Sequence, residues 1–174
     1  MIYRLLIPLF AVVLFFLQST FSLFSPIYVK GEHFVLVPHF FVIYLVFLGA
    51  YDTKKRAIVY GFIFGLLFDM YHMDMIGVYT VIYPCIAYLS ALVVRHVHRN
   101  FAIVSLLAIV LVMTTETLSY LFATLVGFTE ISLTTFLWNR LFSTTVASII
   151  FLLLFGWLFR YVIVKRKEVM DARL

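Results

Sequence analysis

Three acids and a histidine interrupt, or border, the long apolar stretches of this chain: Asp69, His72, Asp74 and Glu116. Asp69 and His72 stand one helical turn apart, a spacing able to grip a metal, yet two ligands are too few for a site. Glu116 is the stronger anomaly, near the middle of an apolar run with no Lys or Arg within a helical turn. A charged side chain at mid-bilayer costs about 2.5–3.5 kcal/mol on insertion scales, so Glu116 is expected to face protein or water, or to be protonated. No H-E-x-x-H, glycine-flanked serine, phosphate-binding glycine loop or carboxylate cluster for metal-assisted phosphoryl transfer occurs. Catalysis by the chain alone is not expected, and no cofactor is implied.

The elements that must hold these groups are membrane helices. Of the 174 residues, 65% are hydrophobic and 12% charged, with a mean hydropathy of +1.12. Too few polar residues remain to clothe a soluble fold, so the apolar surface must meet acyl chains. The expected class is all-α, a single polytopic domain over residues 1–174. Six apolar runs stand out: Leu5 to Phe24, Val35 to Ala50, Ala57 to Met70, Ile76 to Val94, Phe101 to Phe128 and Leu141 to Val164. The second and third are short for a span of about 17–25 residues and are expected to use Tyr51 and Tyr71 at the interfaces. Thr129 to Arg140, with Trp138, reads as an interfacial stretch leading into the last helix. Cys85 reads as a small buried hydrophobe, and His33 and His39 as interfacial residues beside Pro38.

Charge sets an expected orientation, because cytoplasmic loops retain Lys and Arg. An inside N-terminus places eleven of the thirteen basic residues within, including Lys54, Lys55, Arg56, Arg95 and Arg99, and leaves only Lys30 and Arg140 outside. Both termini are then cytoplasmic. Basic residues confined to short inter-helix clusters are a topology signal and not a nucleic-acid surface; His96 and His98 share one such loop with Arg95 and Arg99, beside anionic headgroups.

Within the third run Gly61, Gly65 and Asp69 recur every four residues and share one helix face, where the glycines admit a neighbouring backbone. Asp69 admits two readings: a hydrated carboxylate at a helix end, or a group that fixes the outer turn containing His72, Asp74 and Gly77. In the fifth run Glu116, Ser119, Tyr120, Ala123, Thr124 and Gly127 form a small and polar stripe, matched in the sixth by Thr144, Ala147 and Ser148. These groups concentrate toward the outer leaflet. They fit a small-molecule pocket, a seam for another protein's transmembrane helix, or a network that closes the bundle on itself.

The block from "VLVPHFFVIYLVFLGAYDTKKRAIVYGFIFGLLFDM" to "GVY" resembles the MreD family of bacterial rod shape-determining membrane proteins. The likeness rests on Pro38, the basic turn Lys54 to Arg56, the Gly61, Gly65, Asp69 series, Gly77, an acid in the fifth helix at Glu116 and a basic tail. The turn "YHMDMIGVY" is richer in polar residues than the family pattern, leaving open a special role for His72 or Asp74. The resemblance implies a non-enzymatic scaffold in the cytoplasmic membrane that binds the bitopic protein MreC, alongside MreB filaments, RodZ, the glycosyltransferase RodA and its transpeptidase, and helps control lateral peptidoglycan synthesis. It also implies a fold like the substrate-binding subunits of energy-coupling-factor transporters, and with it the alternative function of a vitamin-binding subunit.

Overall fold

In a computed structural model, residues 2–23, 27–29, 32–34, 38–72, 77–97, 99–129 and 131–171 are described. Apolar residues at every position make the second run a core element. "FFVIYLVFLGAY" forms α2 (Phe40–Tyr51), in which all twelve residues are buried. A helix that is apolar all round has no face to give to water and belongs in the middle of a bundle. Around it stand α1 (Ile2–Leu23), α3 (Lys54–His72), α4 (Val78–His96) and α5 (Phe101–Leu125), and α2 touches each of them. The chain then makes a single turn of helix, α6 (Leu133–Thr135), a π-helical segment (Phe136–Phe142) and α7 (Ser143–Asp171), which closes against α2, α5 and α1. Counting α6 to α7 as one continuous helical run, the expected six helices are present.

Three of these, α4, α5 and the run from Leu133 to Val169, are long and apolar enough to cross a membrane. At 1.5 Å per residue, α2 is only about 18 Å long. It is not a short lipid-facing span with interfacial tyrosines, since Tyr51 itself is buried. Between α1 and α2 the chain folds a two-stranded antiparallel hairpin, β1 (Ile27–Val29) and β2 (Glu32–Phe34), with Tyr28 opposite His33. The interfacial stretch expected up to Arg140 is helical from Leu133 onward, where Ser132 caps the turn by accepting the Thr135 N–H at 3.3 Å. Cys85 is exposed on α4 and is not the buried hydrophobe expected, because Tyr83 and Ile86 take the inward positions. In a membrane helix, apolar character does not distinguish the lipid side from the core.

Aromatic rings fill much of the interior. Phe41 lies 4.8 Å from Phe64 and 5.6 Å from Tyr83, and Tyr44 and Phe47 both meet Phe159 of α7. Polar side chains are buried among them, including Gln18, His39, Asp69 and Glu116.

A buried acid network as the candidate functional site

The glycine face of α3 is used inside this molecule. A Cβ at Gly61 would stand 3.0 Å from the backbone of Tyr83 and Pro84, and one at Gly65 would stand 2.8 Å from the Tyr79 carbonyl carbon and closer still to its oxygen. Both glycines thus let α3 and α4 touch backbone to backbone, the most intimate pairing in the bundle.

One turn beyond Gly65, Asp69 is fully buried. It is not a hydrated carboxylate. Oδ1 accepts the Tyr79 N–H at 2.8 Å; Oδ2 accepts the N–H groups of Gly77 and Thr80, each at 2.9 Å, and the Thr80 hydroxyl at 2.7 Å. These are the donors that a helix N-terminus leaves without intrahelical partners, so a side chain of α3 caps α4. The positive end of the α4 dipole adds to the attraction, and no cation is needed. Gly77 makes the entry possible with a φ of 127°, a region other residues rarely adopt. His72 stacks on Phe68 at 4.3 Å, and Asp74 lies outside the described residues.

Glu116 is also fully buried, and its partners come from distant parts of the sequence. His39 Nε2 donates to Oε1 at 2.8 Å and Arg140 Nε donates to Oε2 at 2.9 Å. His39 lies in the core and is not interfacial as its neighbourhood implied; its carbonyl also accepts the Ile43 N–H at the start of α2. Arg140, one of the two basic residues set apart by the orientation rule, is 28% exposed and links the buried acid to the surface. It lies in the π-helical segment. Phe136, Arg140, Thr144 and Ser148 follow at intervals of four and all face inward or partly so. An α-helix would rotate such a series by about 40° at each step, and the wider turn of the π segment reduces that drift. Arg140 offsets the charge of the acid, and the Nε2–H of His39 completes the carboxylate's hydrogen bonding.

Two further contacts extend the network. Ser119 pairs with the Tyr79 hydroxyl at 3.1 Å, joining the Glu116 stripe to the helix that Asp69 caps. Gln18 donates to the Tyr83 hydroxyl at 3.3 Å and accepts the Phe41 N–H at 3.0 Å, tying α1 to α2 and α4. Of the remaining stripe residues, Tyr120 stacks on Phe136 at 4.0 Å and donates to the Ile131 carbonyl at 2.8 Å, Ala123 is half-buried, and Thr124 is exposed. The α5 end beyond them is closed by Gly127 at a φ of 78°, with the Phe128 N–H bonded to the Ala123 carbonyl at 2.8 Å. The side-chain oxygens of Thr144 and Ser148 and the Nδ1 of His39 are buried without a hydrogen-bond partner among the described residues.

The opposite end carries the basic residues. Lys54, Lys55, Arg95 and Arg99 are exposed, with the Lys54 ammonium 3.9 Å from the centre of the Tyr88 ring. Arg56 pairs with Asp52, which also lies 3.5 Å from Arg166 of α7. Lys30 and His98 lie outside the described residues. Among the described residues no group of three or more His, Cys, Asp or Glu is placed to hold a metal ion.

The sequence carries the same pattern in known proteins. The family model described as rod shape-determining protein MreD matches residues 3–162. The rod shape-determining protein MreD of Bacillus subtilis (strain 168) is 32% identical over 109 residues, 63% of this chain and 63% of that relative, so less than two thirds of its length is spanned. The cell shape-determining protein MreD of Streptococcus pneumoniae (strain ATCC BAA-255 / R6) is 28% identical over 160 residues, 89% of this chain and 91% of the relative. No solved structure matches the chain. A family match over nearly the whole length, on a helical bundle whose described residues include helices long and apolar enough to cross a membrane, places this chain in the MreD family of rod shape-determining proteins.

Proposed function

We propose that the chain is a non-enzymatic scaffold of the cell-elongation machinery, held in the cytoplasmic membrane with both termini inside, and that it docks the transmembrane helix of MreC. The observation that carries this reading is the family match over residues 3–162. The site supports it as well: Asp69 and Glu116 are consumed in holding helices together, as expected of a rigid platform more than of a solvent-filled ligand pocket. In this reading Glu116 and Ser119 support the docking seam from within, and Tyr120, Ala123 and Thr124 present it at the outer end of α5. Gly61, Gly65 and Asp69 fix the α3–α4 wall behind it. The basic face of Lys54, Lys55, Arg56, Arg95 and Arg99 meets MreB or the lipid headgroups. Through MreC the chain joins RodZ, RodA and its transpeptidase and helps control lateral peptidoglycan synthesis.

A detergent pull-down from the native membrane, with protein mass spectrometry and small-molecule analysis of one eluate, tests this. Recovery of MreC with RodA and the transpeptidase supports the scaffold; recovery of a vitamin with ATPase subunits refutes it and favours the substrate-binding alternative. Glu116→Ala should reduce MreC recovery more than Lys54→Ala, and the opposite order counts against an outer-end seam.

A further inference from the structure

Near the basic end of the bundle, one face of α7 has the composition of a headgroup site. Trp157, Arg160, Tyr161, Val164, Lys165 and Glu168 line a shallow groove of about 230 Å³. Their spacing of three and four keeps all six on one side of the helix. A groove of this volume is large enough to admit a phosphodiester group.

Its parts are held in place. The Trp157 and Tyr161 rings stack at 5.6 Å, and Lys165 Nζ donates to the Tyr161 hydroxyl at 2.7 Å. The Arg160 guanidinium lies 5.8 Å from the Tyr51 ring and 6.0 Å from the Phe101 ring, anchoring the groove to α2 and α5. No carboxylate forms an ion pair with Arg160 among the described residues. The buried Tyr51 hydroxyl beneath it also lacks a hydrogen-bond partner there. Glu168 offsets one of the two positive charges, and Arg99 adds another near Tyr51.

A groove with Trp and Tyr, next to exposed cations at one end of a membrane bundle, matches the chemistry of an anionic interface. We propose that this groove binds the phosphate headgroup of an anionic phospholipid, with Arg160 and Lys165 as the cations and Trp157 and Tyr161 against the glycerol and upper acyl chain. The site does not depend on whether the chain is a scaffold or a transporter subunit.

The sequence contains two tryptophans, so Trp138→Phe leaves Trp157 as the sole tryptophan, excited selectively over the tyrosines at the red edge of the absorption band. The full chain in this background is placed in nanodiscs containing either phosphatidylglycerol or phosphatidylcholine brominated near the headgroup, at equal mole fraction. Enrichment on the order of fivefold per contributing cation is expected at the protein, so brominated phosphatidylglycerol should quench Trp157 more strongly. Arg160→Gln with Lys165→Gln should abolish the excess, whereas Lys54→Gln with Lys55→Gln, altering the same end elsewhere, should preserve it. Equal quenching by the two lipids overturns the proposal, and loss of the excess in the Lys54 and Lys55 variant overturns a defined site in favour of diffuse surface charge. Full removal of the excess by inorganic phosphate at constant ionic strength overturns the lipid as the source of the anion.

Discussion

Substitution of Gly65 by Ala should destabilise the protein even though alanine is the better helix former. The gain in helix propensity is about 1 kcal/mol. Against it, the new methyl would meet the Tyr79 carbonyl carbon at 2.8 Å and the Thr80 Cα at 3.0 Å, where ordinary contacts lie at 3.4–4 Å. The obstacle is backbone, which cannot rotate aside, and overpacking of this kind costs about 1–3 kcal/mol. The same two residues give their N–H groups to Asp69, so moving them by half an ångström also weakens hydrogen bonds to a buried carboxylate worth about 1.5–3 kcal/mol each. A net loss of about 2–4 kcal/mol follows, a fall in apparent Tm on the order of 5–10 °C if a chain of this length behaves as globular domains do. Circular dichroism melting of the purified protein in detergent measures it. Gly61→Ala meets backbone at 3.0 Å and has no such link to Asp69, so it should cost less. The coupling has its own check: in an Asp69→Asn background Gly65→Ala should cost less than in the wild type. A Gly65→Ala protein as stable as the parent, or costs that simply add, would refute the reasoning.

Glu116→Ala should cost about 3–5 kcal/mol in the same melting assay, because it strands Arg140 and His39, and adding Arg140→Leu should recover part of the loss; no recovery would argue against a coupled pair. Gln18→Leu leaves the Phe41 N–H and the Tyr83 hydroxyl unpaired in the core, and a loss of about 1–3 kcal/mol is expected, measurable as faster hydrogen exchange at the start of α2. Gly127→Ala places a Cβ on a left-handed residue with open space around it, so strain alone acts and a loss of about 1 kcal/mol is expected in the same melting assay.

Much of this was legible because helices have a fixed period. Gly61, Gly65 and Asp69 had to share a face, and the structure puts that face against α4. The occupant of the face was not legible, since nothing local says that Asp69 will cap a helix beginning at Val78. Glu116 was recognisable as a group in need of a partner, yet Arg140 is 24 residues away and His39 is 77 away. A signal for Arg140 did exist: a lone basic residue on the side the orientation rule leaves poor in charge needs a reason to be there. The central place of α2 had a signal too. A run of about 10–14 apolar residues is more often a buried core helix than a span, and this one has no polar side. The second strand of the hairpin touches the π-helical segment, a contact between distant parts of the sequence that no local pattern encodes.

The enclosure of α2 bears on how the chain is made. This helix leaves the ribosome early, is too short to cross the bilayer unaided, and is separated from α3 by little more than the Asp52–Thr53 turn. Insertion as a hairpin with α3 is the simplest route for it. Its walls arrive late, because α5 and α7 supply its sides, and Phe159 of α7, which packs on Tyr44 and Phe47, follows them far downstream in the sequence. Until then the central helix must be shielded by lipid or by the insertion machinery. A chain that stops before Ser143 leaves it permanently uncovered on one side, and membrane quality control should remove such a product even though five of its helices are intact.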